Sequence, residues 1–187
     1  MKPLVAAVAV LVALAAGASV PAQTPLIDDL RARAERGEAS AQYFLAVTYA
    51  AGDGVPQNDP QAVRWYRLAA QQGLARAQFD LAVMYANGRG VPQDDAEAVR
   101  WYRLAAEQGR ADAQFNLGIK YDSGRGVPQD YVQAHMWYNL TASRMTGEER
   151  KIAADRRDFL ARLMTPAQLA EAQRLARDWD AAHPREP

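Results

Sequence analysis

The chain matches itself at a spacing of 36 residues. Residues 41–73 read AQYFLAVTYAAGDGVPQNDPQAVRWYRLAAQQG, and the same pattern returns without a gap over residues 77–109 and again from residue 113. Such a period is typical of a solenoid, in which one small unit is stacked side by side. A lone unit cannot bury its apolar faces, so the units must pack on one another. The coinciding aromatic and proline positions are Trp65, Trp101, Trp137, Tyr49, Tyr85, Tyr121, Pro56, Pro92 and Pro128.

Each unit is expected to form two helices. In its first half, apolar residues recur three or four positions apart, as at Ala77, Leu81 and Tyr85. The second half repeats that spacing, as at Ala98 and Trp101. This is the period of an α-helix rather than of a strand. The alanines let the helices approach closely, and the large aromatic rings fill the spaces that remain.

The glycine-rich string GRGVPQD occupies residues 88–94 and 124–130, and a near copy, GDGVPQN, occupies residues 52–58. Its first glycine stands where the first helix must end, because glycine tolerates the left-handed backbone that closes a helix. A nucleotide-binding loop would need a preceding strand and a Gly-Lys-Ser/Thr ending, and the sequence has neither. The string is therefore interpreted as a hinge within each helical hairpin. The closing glycines are Gly52, Gly88 and Gly124.

A capping signal precedes each second helix. Asp94 stands three residues before Glu97, which is the spacing of a reciprocal capping box. Glycines at Gly73 and Gly109 are expected to close the second helices in turn. The corresponding pairs in the other two units are Asn58 with Gln61 and Asp130 with Gln133.

The two ends of the array depart from the repeat, as the terminal caps of a solenoid do. Residues 23–38 are predicted to form an N-terminal capping helix, since they align with a second helix but lack its aromatic residues. The three repeats are placed at residues 39–145, C-terminal capping helices at 146–181, and a flexible tail at 182–187.

The C-terminal cap is predicted to consist of two helices, from about residue 147 to 164 and from 166 to 180. Thr146 and Thr165 each open a capping-box pattern at the expected starts. The residues expected to cover the last repeat are Leu160, Leu163, Leu169, Leu175 and Trp179.

Residues 1–22 are interpreted as a cleaved signal peptide. Lys2 precedes an apolar stretch at residues 4–16, and small residues precede the candidate cleavage points after Ala18 and Ala22. A retained anchor is the alternative, but 13 apolar residues are too few to span a bilayer core of about 30 Å. The mature protein is therefore expected to be periplasmic or secreted, without membrane insertion.

Composition removes several classes of function. The chain has no cysteine, which excludes disulfides, thiolate catalysis and zinc–cysteine sites. Its 22 basic residues are balanced by 22 acidic ones, and the arginines alternate with carboxylates, so no basic run suits a nucleic acid. We therefore expect no nucleic-acid partner, no cofactor and no metal.

Catalytic residues are not expected. The chain contains no Ser-x-x-Lys, Gly-x-Ser-x-Gly or His-Glu-x-x-His motif. Of its two histidines, His135 replaces a valine on a second helix and is interpreted as structural, and His183 lies in the expected flexible tail. Neither has a metal-ligand cluster near it in sequence. The paired Asp94 and Asp95 are explained by helix capping.

The repeated pattern A-x-x-x-L-x-x-x-Y-x-x-G-x-G-V-P followed by A-x-x-W-Y-x-x-A-A-x-x-G resembles the Sel-one-like repeat (SLR), a relative of the tetratricopeptide repeat. The resemblance covers residues 39–143. It implies an all-α, right-handed α/α superhelical solenoid of three helix-turn-helix repeats with terminal capping helices. It also implies a scaffold that brings proteins together, commonly in the cell envelope. The third repeat departs from the pattern at Gly118, His135, Asn139 and Thr141.

Variation among the three first helices suggests where a partner binds. The differing positions are four, four and three residues apart, so they form one stripe along the helix. In tetratricopeptide-like superhelices the first helices line the concave wall, and the stripe would then face that groove and a bound protein or peptide. A merely solvated stripe is the alternative. The candidate binding residues are Phe44, Thr48, Asp80, Met84, Asn116 and Lys120.

The favoured function is a non-catalytic scaffold of the bacterial cell envelope that binds a protein or peptide. The alternative is a β-lactamase-like or cell-wall amide hydrolase, because some cysteine-rich secreted relatives have been labelled in that way. A purely structural spacer is a third possibility, and three repeats are few for a long spacer. The sequence leaves the partner and the oligomeric state open.

Overall fold

The computed structural model describes residues 25–184, and within that range every regular element is an α-helix. The interpreted signal peptide, residues 1–22, lies outside the described residues. The helices are α1 Pro25–Glu35, α2 Ala39–Ala51, α3 Asp59–Gln71, α4 Ala75–Asn87, α5 Asp95–Glu107, α6 Ala111–Ser123, α7 Tyr131–Arg144, α8 Gly147–Ala161 and α9 Pro166–Ala182.

The helices form consecutive hairpins that stack in chain order. Helices α2 and α3, α4 and α5, and α6 and α7 pair within the three repeats, while α3 packs on α4 and α5 packs on α6 between repeats. Helix α1 covers α2 at one end, and α8 and α9 both pack on α7 at the other. The predicted all-α, right-handed solenoid with terminal capping helices is confirmed.

The hinge glycines adopt the left-handed backbone that their sequence pattern predicts. Gly88 closes α4 with φ 66°, and its equivalents Gly52 and Gly124 have φ 74° and 69°. Gly73 and Gly109, just after α3 and α5, have φ 87° and 82°. Each first and second helix of the first two repeats therefore ends where the glycines predicted.

The predicted capping boxes of the second helices are only half formed. The Asp94 carboxylate accepts from the backbone N–H of Glu97 at 3.0 Å, as expected. The backbone N–H of Asp94 instead donates to the carbonyl of Tyr85 at 3.0 Å, across the hinge. The reciprocal arm from Glu97 is thus replaced by a tertiary hydrogen bond. The same pattern joins Asn58 to Gln61 and Tyr49, and Asp130 to Gln133 and Tyr121.

The two C-terminal caps differ from each other. Thr165 and Gln168 form the predicted capping box at the start of α9. The prediction for Thr146 was wrong, since its side chain makes no capping hydrogen bond at the start of α8. Gly147 follows it with φ 62°, so the chain enters α8 through a left-handed turn rather than through the regular cap geometry.

The main core lies between the helices of successive hairpins and consists of alanines, leucines and aromatic rings. Trp65, Trp101 and Trp137 are only 6%, 5% and 7% exposed. One aromatic pair recurs in each repeat, with ring centroids 5.8, 5.8 and 5.7 Å apart. These pairs are Tyr43 with Tyr66, Phe79 with Tyr102, and Phe115 with Tyr138.

A glutamine relay links each repeat to the preceding hairpin. The Gln78 side-chain amide donates to the carbonyl of Ala70 at 3.2 Å, and Gln108 donates to the Gln78 side-chain oxygen at 2.8 Å. The relay ends at the third repeat, where Arg144 stands in place of Gln108. Arg144 turns to the cap instead, and its guanidinium donates to Asp180 at 2.8 Å.

Helix α9 closes the stack through Trp179, as predicted. Its ring lies edge-on to Trp137, with centroids 6.1 Å apart. His183 stacks on the other part of this cap, 4.1 Å from the Trp179 ring, although the sequence placed it in a flexible tail. Leu160 is fully buried in the cap, whereas Leu163 is 54% exposed and covers little.

Gly118 explains how the third repeat accommodates its departures. A Cβ at this position would lie 2.6 Å from the Tyr138 ring, while the first two repeats carry Ala46 and Ala82 there. The glycine lets the ring approach the backbone of α6. Tyr138 is 1% exposed as a result and joins Leu160 in a second, smaller core beneath α8.

Candidate functional site

The six candidate binding residues fall into two groups along the first helices. Phe44, Asp80 and Asn116 occupy the same repeat position and are not buried, with Phe44 50% exposed. We call the surface formed by these three residues the first-helix face. It is the part of the predicted stripe that remains open to a partner.

The other three candidates lie one helical turn further along and face the preceding hairpin. Met84 is 3% exposed, and Lys120 is 7% exposed and forms an ion pair with Asp95 at the start of α5. The Thr48 hydroxyl donates to the Phe44 carbonyl at 2.9 Å, and Thr48 borders α1 near Ile27. These side chains join repeats, so a partner would meet little of Met84 or Lys120.

Aromatic rings and guanidinium groups border the first-helix face. Arg76 lies over the Tyr43 ring, 5.4 Å from its centroid, and Arg110 lies over the Phe79 ring at 5.2 Å. A guanidinium over an aromatic face is attractive because the face carries the negative end of the ring quadrupole. Arg110 is also held by the carboxylate of Asp112.

Asp80 lies at the centre of this arrangement. Burial raises the pKa of its carboxyl, and the hydroxyl of Tyr43 and the charge of Arg110 oppose that rise. Its charge is therefore shared with neighbouring groups rather than presented alone.

A cleft of about 210 Å³ continues the first-helix face toward the C-terminal cap. It lies between α6 and the start of α8, so one wall comes from the last repeat and the other from the cap. We call it the Phe115 cleft. Its lining residues are Asp112, Phe115, Asn116, Met145, Glu149 and Ile152.

A second cleft, of about 260 Å³, contains His135 at the junction of α7, α8 and α9. His135 is 4% exposed, and its Nδ1 has no hydrogen-bond partner among the described residues. Burial lowers the pKa of the imidazole, and the positive charge of Arg157 lowers it further, while Asp158 acts in the opposite direction. Gln173 faces the cleft from α9. This histidine is thus kept neutral by its surroundings.

Protonation of His135 is expected to weaken the folded state. Because the pKa is lower in the folded chain than its ordinary value near 6.5, the unfolded chain takes up the proton first as the pH falls. Stability is then fully present above that value and is lost below it. His135→Val, the residue of the other two repeats, should reduce this loss and add about 1 kcal/mol at pH 7.5 by removing the unpaired Nδ1.

Urea denaturation of both proteins at pH 7.5 and pH 5.0 measures this effect. Titration of the other groups is common to both proteins, so the difference between them isolates His135. An equal fall in the two midpoints would show that His135 does not titrate in this way.

Over residues 25–184, no group of three or more histidine, aspartate or glutamate side chains is arranged to hold a metal ion. Among the same residues, no helix is both long and apolar enough to cross a membrane.

Comparison with protein families places the repeats. The Sel1 repeat model matches residues 39–74, 75–109 and 111–144, which together make up more than half of the chain. The chain belongs to the Sel1 repeat family. Sel1 repeat proteins are generally protein-interaction scaffolds, and this chain has their fold. Comparison with curated protein sequences finds no match.

Solved Sel1 repeat structures resemble this one. The c5321 protective antigen of uropathogenic Escherichia coli, described as displaying an SLR fold, is 48% identical, with a TM-score of 0.63 over 65% of this chain. The chain spans only 26% of the length of that antigen. A Sel1 repeat protein from Oxalobacter formigenes is 44% identical, with a TM-score of 0.61 over 68% of this chain and 96% of its own.

A more distant neighbour shows the same fold. Cysteine-rich protein B of Helicobacter pylori is 19% identical, with a TM-score of 0.55 over 69% of this chain and 98% of its own. The Sel1 hairpin stack is thus maintained here without any cysteine.

Sequence reasoning missed the residues that frame the first-helix face. Arg76 and Arg110 cover rings that recur at one position of every Sel1 repeat, and that recurrence was visible as Tyr43, Phe79 and Phe115. A cation close in sequence to each ring would have been the signal. The cleft at Phe115 gave no such signal, because its second wall belongs to the cap.

Proposed function

We propose that this protein is a non-catalytic adaptor of the bacterial cell envelope that binds a partner protein or peptide on its first-helix face. The observation that carries the proposal is the exposed ring of Phe44, which is 50% exposed beside Tyr43 at 5.5 Å between ring centroids. Exposed aromatic residues are enriched where proteins bind one another. The signal-peptide pattern of residues 1–22 supports export of the mature chain.

The first-helix face suits an extended peptide or a partner helix. It repeats along three parallel helices, so successive residues of a ligand would meet equivalent positions on successive repeats. It offers an apolar ring at Phe44, a carboxylate at Asp80 and an amide at Asn116. Such a mixture favours a partner with alternating apolar and polar side chains.

Site-specific photo-crosslinking in the envelope of the expressing cell tests the proposal. A photoreactive residue at position 44 should form a discrete adduct with another protein. The control position is Leu104, which is 37% exposed on the second helix α5 and should form no such adduct. Asp80→Ala and Asn116→Ala, introduced together in the position-44 protein, should reduce the yield. Equal adducts from positions 44 and 104, or none from either, would contradict the proposal.

The hydrolase alternative makes a separate prediction. The purified protein would turn over a chromogenic β-lactam, and no adduct at position 44 would be required. Turnover without an adduct would favour that alternative over the adaptor.

A further inference from the structure

The three repeats treat one aromatic position in two different ways. Tyr43 and Phe79 each carry a guanidinium from the same chain, that of Arg76 at 5.4 Å and that of Arg110 at 5.2 Å. Over Phe115, their equivalent in the third repeat, no cation lies among residues 25–184. The open Phe115 cleft borders that ring instead.

The sequence explains why the third ring is left open. Asp112 stands 36 residues after Arg76, at the same repeat position, and Thr146 stands 36 residues after Arg110. Neither replacement carries a positive charge. The absence of a guanidinium at Phe115 therefore follows directly from two substitutions in the repeat.

The cleft offers the groups that a guanidinium needs. Glu149 is exposed and makes no ion pair among those identified over residues 25–184. Asn116 donates its amide to the carbonyl of Asp112 at 2.9 Å, which leaves its side-chain oxygen as an acceptor. Met145 and Ile152 supply apolar surface, with Ile152 42% exposed.

The carboxylate of Asp112 contributes less. It is already engaged by Arg110 and by the backbone N–H of Ala113 at 2.8 Å. The negative charge available to a ligand in the cleft is therefore that of Glu149.

We propose that the Phe115 cleft binds an arginine side chain of the partner peptide, with its guanidinium over the Phe115 ring and paired with Glu149. Arginine suits this site because its planar group stacks on an aromatic face and pairs with a carboxylate through two N–H donors. Its methylenes would pack on Met145 and Ile152. The inference rests on the proposed function, since it specifies one residue of the partner.

Titration of the purified mature protein with N-acetyl-arginine methylamide tests the inference by NMR. The expected dissociation constant is on the order of 1 mM, as befits a single side chain. Resonances of Phe115, Asn116 and Ile152 should shift and saturate. The citrulline analogue, which is similar in shape but neutral, should bind at least tenfold more weakly.

Two variants separate the cleft from general electrostatics. Glu149→Gln should weaken arginine binding roughly five- to tenfold, because it removes the paired charge. Glu148→Gln is the matched control, since Glu148 is exposed on the same turn but does not line the cleft. Both positions are exposed, so neither change should disturb folding, and an unchanged thermal midpoint would verify this.

Several results would overturn the inference. These are equal binding of arginine and citrulline, equal binding of the lysine analogue, equal effects of the two variants, or shifts confined to other residues. Shifts of the cleft resonances with protein concentration alone would assign the cleft to a second copy of the chain. An adduct at position 44 without arginine binding would sink only this inference, whereas arginine binding without any adduct would sink the proposed adaptor function.

Discussion

Replacing Gly90 with alanine is expected to lower the free energy of unfolding by about 3 kcal/mol or more. Gly90 has φ 70°, and left-handed backbone costs a non-glycine residue about 1–2 kcal/mol. In addition, a Cβ there would lie 2.4 Å from the carbonyl carbon of Asp59, at the start of α3 in the preceding repeat. Backbone at a helix start cannot move aside easily, so the overlap adds about 1–3 kcal/mol.

Gly54 provides the matched control for this prediction. It holds the same place in the first repeat and has the same φ of 70°, but its added Cβ would meet only the tip of the Ile27 side chain. That side chain can rotate away, so Gly54→Ala should cost about 1–2 kcal/mol. Urea denaturation followed by circular dichroism measures both variants. Equal losses would show that the second glycine of the hinge does not serve contact between repeats.

Replacing Trp101 with alanine is expected to cost about 3–5 kcal/mol, because the large ring is buried in the main core. Trp101 is 5% exposed and belongs to the middle repeat, where hairpins flank it on both sides. The whole described array should lose stability together, since each repeat depends on its neighbours. Chemical denaturation monitored by circular dichroism gives the free energy.

Trp101→Phe is the control for ring volume. The Trp101 Nε1 has no hydrogen-bond partner among the described residues, so phenylalanine removes an unsatisfied donor while keeping an aromatic ring. We expect a loss of about 1 kcal/mol, well below that of alanine. Equal losses for both variants would mean that the indole N–H, and not the ring, makes the contribution.

The repeat itself made most of the fold predictable. A period of 36 residues placed the hairpins, and the glycines at Gly88 and Gly109 placed the helix ends, because both signals are local and recur. The reciprocal cap at Asp94 was mispredicted for a tertiary reason. Its backbone N–H finds the Tyr85 carbonyl across the hinge, and a local pattern cannot anticipate that competitor.

The candidate site was predicted less completely. Variation among repeats identified both Asn116 and Lys120, but it could not distinguish an open position from a joint between repeats. Lys120 differs from Met84 and Thr48 and is nonetheless buried against Asp95. Which face of a first helix meets the preceding hairpin depends on how the hairpins stack, and a single helix does not encode that.

The boundary between repeats and cap carried further information that no repeat could supply. Arg144 breaks the glutamine relay and lies over Trp179 at 4.7 Å, so a position that joins repeats elsewhere here holds the cap. Ile152 likewise becomes a wall of the Phe115 cleft only because α8 folds back on α7. Both roles depend on helices outside the period.

The central claim is that equivalent hairpins stack through interchangeable surfaces. Deletion of residues 75–110, one full period, tests it, because α6 would then pack on α3 in place of α5. Asp59 occupies the position of Asp95 and would receive both Lys120 and Arg125, which pair with Asp95 in the intact protein. Deletion of residues 75–104 is the control, since it breaks the register.

Circular dichroism during urea denaturation reads out both deletions. The account predicts that the 75–110 deletion keeps its helicity per residue and unfolds in one cooperative transition at a lower midpoint, while the 75–104 deletion does not. Loss of cooperative unfolding in both would contradict the account, because the hairpins would then not be interchangeable units of a stack.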